Sequence, residues 1–148
     1  MLTERSPEKN SDVMNALLLT LKRSKTPDIA TILKLKTILS SSDRDLLSSF
    51  LSESGVEIML SIMKSKVLTI PKTELDIAVL YEMAGCCKSL MNNSMGMNAF
   101  INIEGSIDIL TSCLLFDFKV LALLILEILS VCCYYSEDTA ALVVKSMR

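Results

Sequence analysis

The chain has 148 residues, 51% of them hydrophobic, with 4 Gly and 3 Pro, so it can close one hydrophobic core and is neither a linker nor a disordered tail. Its formal net charge of −2 and pI of about 5.2 leave no basic field to hold a phosphate backbone, which argues against nucleic acid as a ligand. It contains no histidine, which removes the commonest general base and the commonest zinc ligand together.

The N-terminus, MLTERSPEKNSD, is charged and lacks the apolar stretch of a signal peptide, so a cytoplasmic location is expected. An amphipathic run, DVMNALLLTLKRS, lies within Ser11–Ser24 and predicts a leading helix in an N-terminal segment, residues 1–25. The main domain is expected over 26–148. Thr26 followed by Pro27 reads as an N-cap with proline at the first helical position, opening PDIATILKLKTILSS. Ser42 with Asp45 three residues on resembles a capping box and opens a short helix that stops near Gly55. A helix over Val56–Lys66 follows. KVLTIP (66–71) alternates briefly like a strand, but it ends in Pro71 and has no strand to pair with. Thr73 with Asp76 repeats the cap pattern and starts a long helix through Met91. Short helices are expected at about Met95–Asn102 and Ser106–Leu115, and a long one at about Phe118–Tyr134. Ser136 caps the last helix, which ends near Met147.

The mean hydropathy of +0.47 makes a membrane worth weighing. The most apolar stretch, VLALLILEILSVCCYY (Val120–Tyr135), is interrupted by Glu127 and Ser130. It falls short of the ~20 apolar residues that span a bilayer. It reads as a core helix.

A recurrence runs through these elements. FLSESGVEIMLSIM (50–63) and FINIEGSIDILTSC (100–113) place Phe50 and Phe100, Gly55 and Gly105, and Leu60 and Leu110 fifty positions apart. Each copy follows a long helix that ends in small polar residues. One long and two short helices at this spacing fit the armadillo or HEAT range. Such units stack because none can bury its apolar face alone. The expected fold is all-α: an armadillo-like right-handed helical solenoid of about three repeats, the terminal ones incomplete.

In such a stack the long helices line the concave side. Ala30, Lys34, Thr37 and Ser41 form a stripe on the first. Tyr81, Gly85, Lys88 and Asn92 form the matching stripe on the second. Leu123, Glu127, Ser130 and Tyr134 form the third, with Val131 beside them. The third stripe mixes apolar residues with a single charge. Two readings fit it equally: a groove for the apolar side of another helix, or a face covered by a further helix of the same protein.

The five cysteines are Cys86, Cys87, Cys113, Cys132 and Cys133. Adjacent cysteines on a helix point ~100° apart and chelate poorly, so they read as small buried hydrophobes. No metal or cofactor is expected. No catalytic residue is either: a thiol nucleophile such as Cys87 would lack the imidazole base, and no Gly-rich phosphate loop occurs.

CCKSLMNNSMGMNAFINIEGSIDILTSCL, and later LEILSVCCYYSEDTAALVVKSM, resemble the armadillo core of diaphanous-related formins, their GTPase-binding/FH3 segment. Lys88, Met91, Asn92, Asn93, Gly96, Gly105, Leu129, Ser130 and Cys133 fall in register with that pattern. The resemblance covers about residues 30–147, and its Met-Asn-Asn to Gly portion is the specific part. It implies a non-enzymatic, autoinhibitory module. The module would hold an amphipathic helix from the formin's own C-terminal tail on its concave face. A Rho-family small GTPase would displace that tail and so release actin assembly, giving an indirect link to the cytoskeleton. By position, tail contacts fall on Lys88, Asn92, Val131 and Tyr134, and GTPase contacts on Thr37 and Ser41.

Three departures stand out. Ser40, Ser41 and Ser42 replace the family's Asn cluster. Val131 is bulkier than the usual alanine. Only about 25 residues precede the first repeat, so a missing or reduced GTPase-contacting subdomain is expected, and the actin-binding and proline-rich parts are not expected in this sequence. Two other readings stand beside the formin one: a generic armadillo-like scaffold with another partner, and a helical carrier whose nine methionines enclose an apolar ligand.

Overall fold

A computed structural model describes the backbone of residues 7–24, 27–41 and 43–148. Its described residues form helices only. They are α1 (Pro7–Arg23), α2 (Ile29–Ser40), α3 (Arg44–Ser52), α4 (Gly55–Leu68), α5 (Glu74–Met91), α6 (Ser94–Ile101), α7 (Ser106–Ser112), α8 (Lys119–Tyr135) and α9 (Glu137–Ser146). A single 3₁₀ turn, Cys113–Leu115, extends α7. Short loops and repeated three-helix units make this the armadillo-like solenoid that the recurrence predicts, except that in the first unit α4, with 14 residues, is longer than α2, with 12. No single helix among the described residues is long and apolar enough to cross a membrane.

Caps set the helix starts. Thr73 Oγ1 accepts from the Asp76 N–H, and the Asp76 carboxylate accepts from the Thr73 N–H, completing the box before α5. Ser136 accepts from the Thr139 N–H at the start of α9, and Asn93 from the Met95 N–H at the start of α6. Two predicted caps change. Thr26 and Ser42 lie outside the described residues, and aspartates hold the helix starts instead. Asp28 accepts from the Ala30 N–H, so α2 begins at Ile29, two residues later than Thr26-Pro27 implies. Asp43 accepts from the N–H groups of Asp45 and Leu46 and opens α3. A carboxylate suits the positive end of a helix better than a hydroxyl does.

One core runs through the stack. Phe50 and Phe100, equivalent in the recurrence, are both fully buried, as are Leu110 and, nearly so, Leu60. Met14, Leu18 and Leu21 of α1 belong to the same core, and α1 packs on α3 and α4. Six of the nine methionines, Met14, Met59, Met63, Met83, Met91 and Met97, fill this core.

The two glycines of the recurrence act for different reasons. Gly105 takes φ +82° immediately before α7, a left-handed conformation that L side chains resist. In the first copy Ser54 takes that role, with φ 61°, and Gly55 is the first residue of α4. A Cβ on Gly55 would lie 2.4 Å from the Phe50 ring.

The first helices of the three units, α2, α5 and α8, lie side by side, α5 in the middle. Lys36 pairs with Glu82 and Ser40 bonds to Ser89, so residue numbers rise together along α2 and α5. Tyr81 lies near Phe118, and Lys88 pairs with Glu127, so α8 runs the same way. The three are parallel.

The link from α4 to α5 is held by charge. Lys66 Nζ lies 2.9 Å from Asp76 Oδ1, and both side chains are buried. Lys72 Nζ donates to the Val67 and Thr69 carbonyls at the end of α4 and sits 4.0 Å above the Phe116 ring, joining this turn to the one before α8.

Gly55→Ala is expected to destabilise the domain by ~1–3 kcal/mol through overpacking on Phe50, and Gly105→Ala by ~1 kcal/mol through backbone strain alone. Urea unfolding of both variants measures the order; a larger loss at Gly105 would contradict the assignment.

The Thr73 backbone N–H, and after it the Lys66 ammonium, hold the Asp76 carboxyl at about 2, below its ordinary 3.8. A depressed carboxyl pKa stabilises the fold above its ordinary value and loses that effect as pH falls toward 2. Asp76→Asn should therefore lower stability at neutral pH and flatten the acid limb between about 4 and 2, read from thermal melts across pH. An acid limb identical to wild type would refute this role.

Candidate partner-binding groove

The parallel packing of α2, α5 and α8 places the three predicted stripes next to one another. Ala30, Lys34, Thr37 and Ser41 are all exposed on α2. On α8, Leu123 is 68% exposed, Tyr134 92% and Val131 42%, with Glu127 and Ser130 exposed between them. Leu121, Ile125, Ile128, Leu129 and Cys132 take the opposite, buried face of α8. No described helix covers the Leu123–Tyr134 strip.

The α5 stripe is more buried than its spacing implies. Asn92 is exposed, but Lys88 and Tyr81 are half-buried and Gly85 is buried. The reason is a side chain from the neighbouring helix. Lys36 lies across Gly85, its terminal atoms 3.3 Å from where a Cβ would stand, and its ammonium is 3.6 Å from Glu82. Gly85 is therefore the floor under Lys36, not a groove contact.

Lys88 is also engaged. Its ammonium is 2.7 Å from Glu127 Oε1, so α5 and α8 share an ion pair in the middle of the groove. The Ser40 and Ser89 hydroxyls, 2.9 Å apart, join α2 to α5 farther along. These cross-helix contacts escaped the sequence reading, because helical spacing places residues on a face but does not say which neighbour they reach. Glu127 was visible as the one charge in its stripe; Lys36 and Glu82 gave no signal.

Two clefts open beside the groove. One, of about 880 Å³, separates α1 from α2 and is lined by Val13, Leu17, Leu33, Lys34 and Thr37 among others. The other, of about 370 Å³, lies between the first turns of α5 and α8, walled by Ile77, Tyr81, Phe118 and Val120 with Glu74 and Glu82 at its edge. No methionine is among the residues that line these two clefts, and six of the nine methionines fill the core instead.

The model of the Diaphanous GTPase-binding domain family matches residues 3–134. The chain belongs to that family. The match spans α1 and nearly all of the three groove helices, so the whole groove of this Diaphanous GTPase-binding domain lies inside it. The family is one of protein-interaction domains and not of catalysts. No curated protein matches the chain.

The thiols agree with a packing role. Cys86 donates to the Ile32 carbonyl at 3.6 Å, and Cys87 lies 3.8 Å from the Met63 sulfur. Burial pushes Cys86 up to about 12 and Cys113 and Cys132 up to about 11, and raises Cys87 as well. Such thiols are protonated and poor nucleophiles at neutral pH. Cys133 is the exception to the expectation of buried cysteines: it lies on the exposed side of α8. In the folded protein a disulfide reagent should modify one thiol rapidly and the other four only on unfolding. Cys133→Ser should remove the fast phase; its persistence would refute this burial pattern.

Proposed function

We propose that this domain is a formin-type regulatory module that binds an amphipathic helix across α5 and α8. In its full setting that helix is the formin's C-terminal autoregulatory segment, and its capture holds actin assembly in check. The observation that carries the reading is the uncovered strip of Leu123, Val131 and Tyr134 beside the polar residues Lys88 and Asn92. Exposed apolar area of this kind, bordered by polar groups, suits the apolar face of a helix. Apolar contact there is worth about 25 cal/mol per Å² removed from water, and Asn92 supplies hydrogen bonds that fix register.

A Rho-family small GTPase is the second partner in this proposal. Thr37 lines the cleft between α1 and α2, and Ser41 is exposed at the end of α2. Both lie on the helix farthest from Val131, so a GTPase at this end would reach the tail helix by its edge. The site of action would be cytoplasmic, at the cytoskeleton.

Val131→Asp tests the groove. It places a charge in the apolar strip at a position 42% exposed, so the fold should survive while affinity for a labelled formin-tail peptide drops at least ~30-fold, about 2 kcal/mol. Circular dichroism checks folding, and fluorescence anisotropy reads the affinity. Equal affinities for wild type and variant would sink the assignment. They would favour an armadillo-like scaffold that uses another surface.

A further inference from the structure

We infer that Glu127 is a built-in competitor that makes the groove select against an acidic residue at the centre of its partner helix. The inference rests on the helix-binding reading above and adds what kind of helix the groove takes.

Lys88 is the cation at the middle of the three helices, and the Glu127 carboxylate occupies it from within the same chain at 2.7 Å. The two side chains are 44% and 54% exposed, so the pair faces the groove and is not part of the core. Glu127 is the single carboxylate on α8. On the same face α8 exposes Val120, Leu123, Ser130, Val131 and Tyr134 around it. A half-exposed pair of this kind is held weakly, and its members exchange partners readily. Its value changes when a helix lies over it and water leaves.

Three kinds of central residue then behave differently. A neutral polar residue leaves the pair intact and hydrogen-bonds to it. A basic residue adds a second cation to Glu127. An acidic residue must share Lys88 with Glu127 or displace it, and either way it sits beside a desolvated like charge, which is strongly unfavourable. Specificity of this sort is a repulsion against the wrong partner as much as an attraction to the right one. Removing Glu127 should turn Lys88 into an open receptor for a carboxylate. Glu127 and Lys88 are thus specificity-determining residues, while the apolar strip supplies affinity.

The test uses the full chain and synthetic amphipathic helical peptides. One apolar face is kept constant, and each position bordering it carries Asp or Asn in turn. Fluorescence anisotropy gives the Asp-to-Asn affinity ratio for wild type, Glu127→Gln, and Glu127→Gln combined with Lys88→Gln. Wild type should prefer Asn over Asp about fivefold or more at one central position. Glu127→Gln should reverse that preference at the same position, and the double variant should show none. A ratio unmoved by Glu127→Gln, with Val131→Asp still weakening binding, overturns the selector and leaves the groove reading standing. Peptides that bind Val131→Asp as well as wild type overturn both. All variants replace exposed or half-exposed groups, and a thermal melt of each confirms that the ratio is read on folded protein.

Discussion

Ala84, Gly85, Cys86 and Cys87 sit together in the middle of α5, and all four are buried. Four small side chains in a row leave a narrow helix, so α2, α4 and α8 can all close on it. α2 comes near enough for a Cys86 thiol to reach the Ile32 carbonyl, and Lys36 crosses over Gly85 because nothing there blocks it. The close approach of the three groove helices follows from this contact. So does the groove, since the stripes meet only while α5 holds its neighbours at this distance. A larger residue at Gly85 or Cys86 would act on the binding face without touching any partner.

The caps show which parts of such a fold a sequence declares. Thr73, Asn93 and Ser136 each act on an N–H two or three residues ahead, so a short window contains the whole interaction. The start of α3 misled because Ser42 and Asp43 are adjacent cap formers, and only the loop geometry decides that Asp43 turns inward to Asp45 and Leu46. The fifty-residue recurrence located real equivalents in Phe50 and Phe100. It also aligned Gly55 with Gly105, although one is there for space and the other for φ. Identity at a repeat position thus reports a shared constraint only when the neighbours are shared too.

The groove was legible as faces but not as contacts. The stripes on α2 and α8 followed from a period of 3.6 and are exposed as that period requires. The α5 stripe departed from it, because a central helix has neighbours on both sides and the lysine of one neighbour lay over it. Lys36–Glu82 and Lys88–Glu127 both join residues on different helices, forty-six and thirty-nine positions apart in the chain. No local pattern encodes such pairs.

Exposed apolar side chains are spread unevenly over the three helices. α2 shows Leu33 and α5 shows Leu75, whereas α8 shows Val120, Leu123, Leu126, Val131, Tyr134 and Tyr135. Polarity therefore changes across the groove, from threonine and serine on α2, through the ion pair at the α5–α8 seam, to a mostly apolar α8. A ligand held mainly by apolar burial is driven to the α8 side. A partner held by polar contacts finds its donors and acceptors on the α2 side, next to the cleft against α1. On the proposed reading these are the tail helix and the GTPase, and the ion pair lies between them. Competition between the two then needs no long-range rearrangement. It needs only that the second partner reach as far as the Lys88–Glu127 seam, where the tail helix crosses from one chemistry to the other.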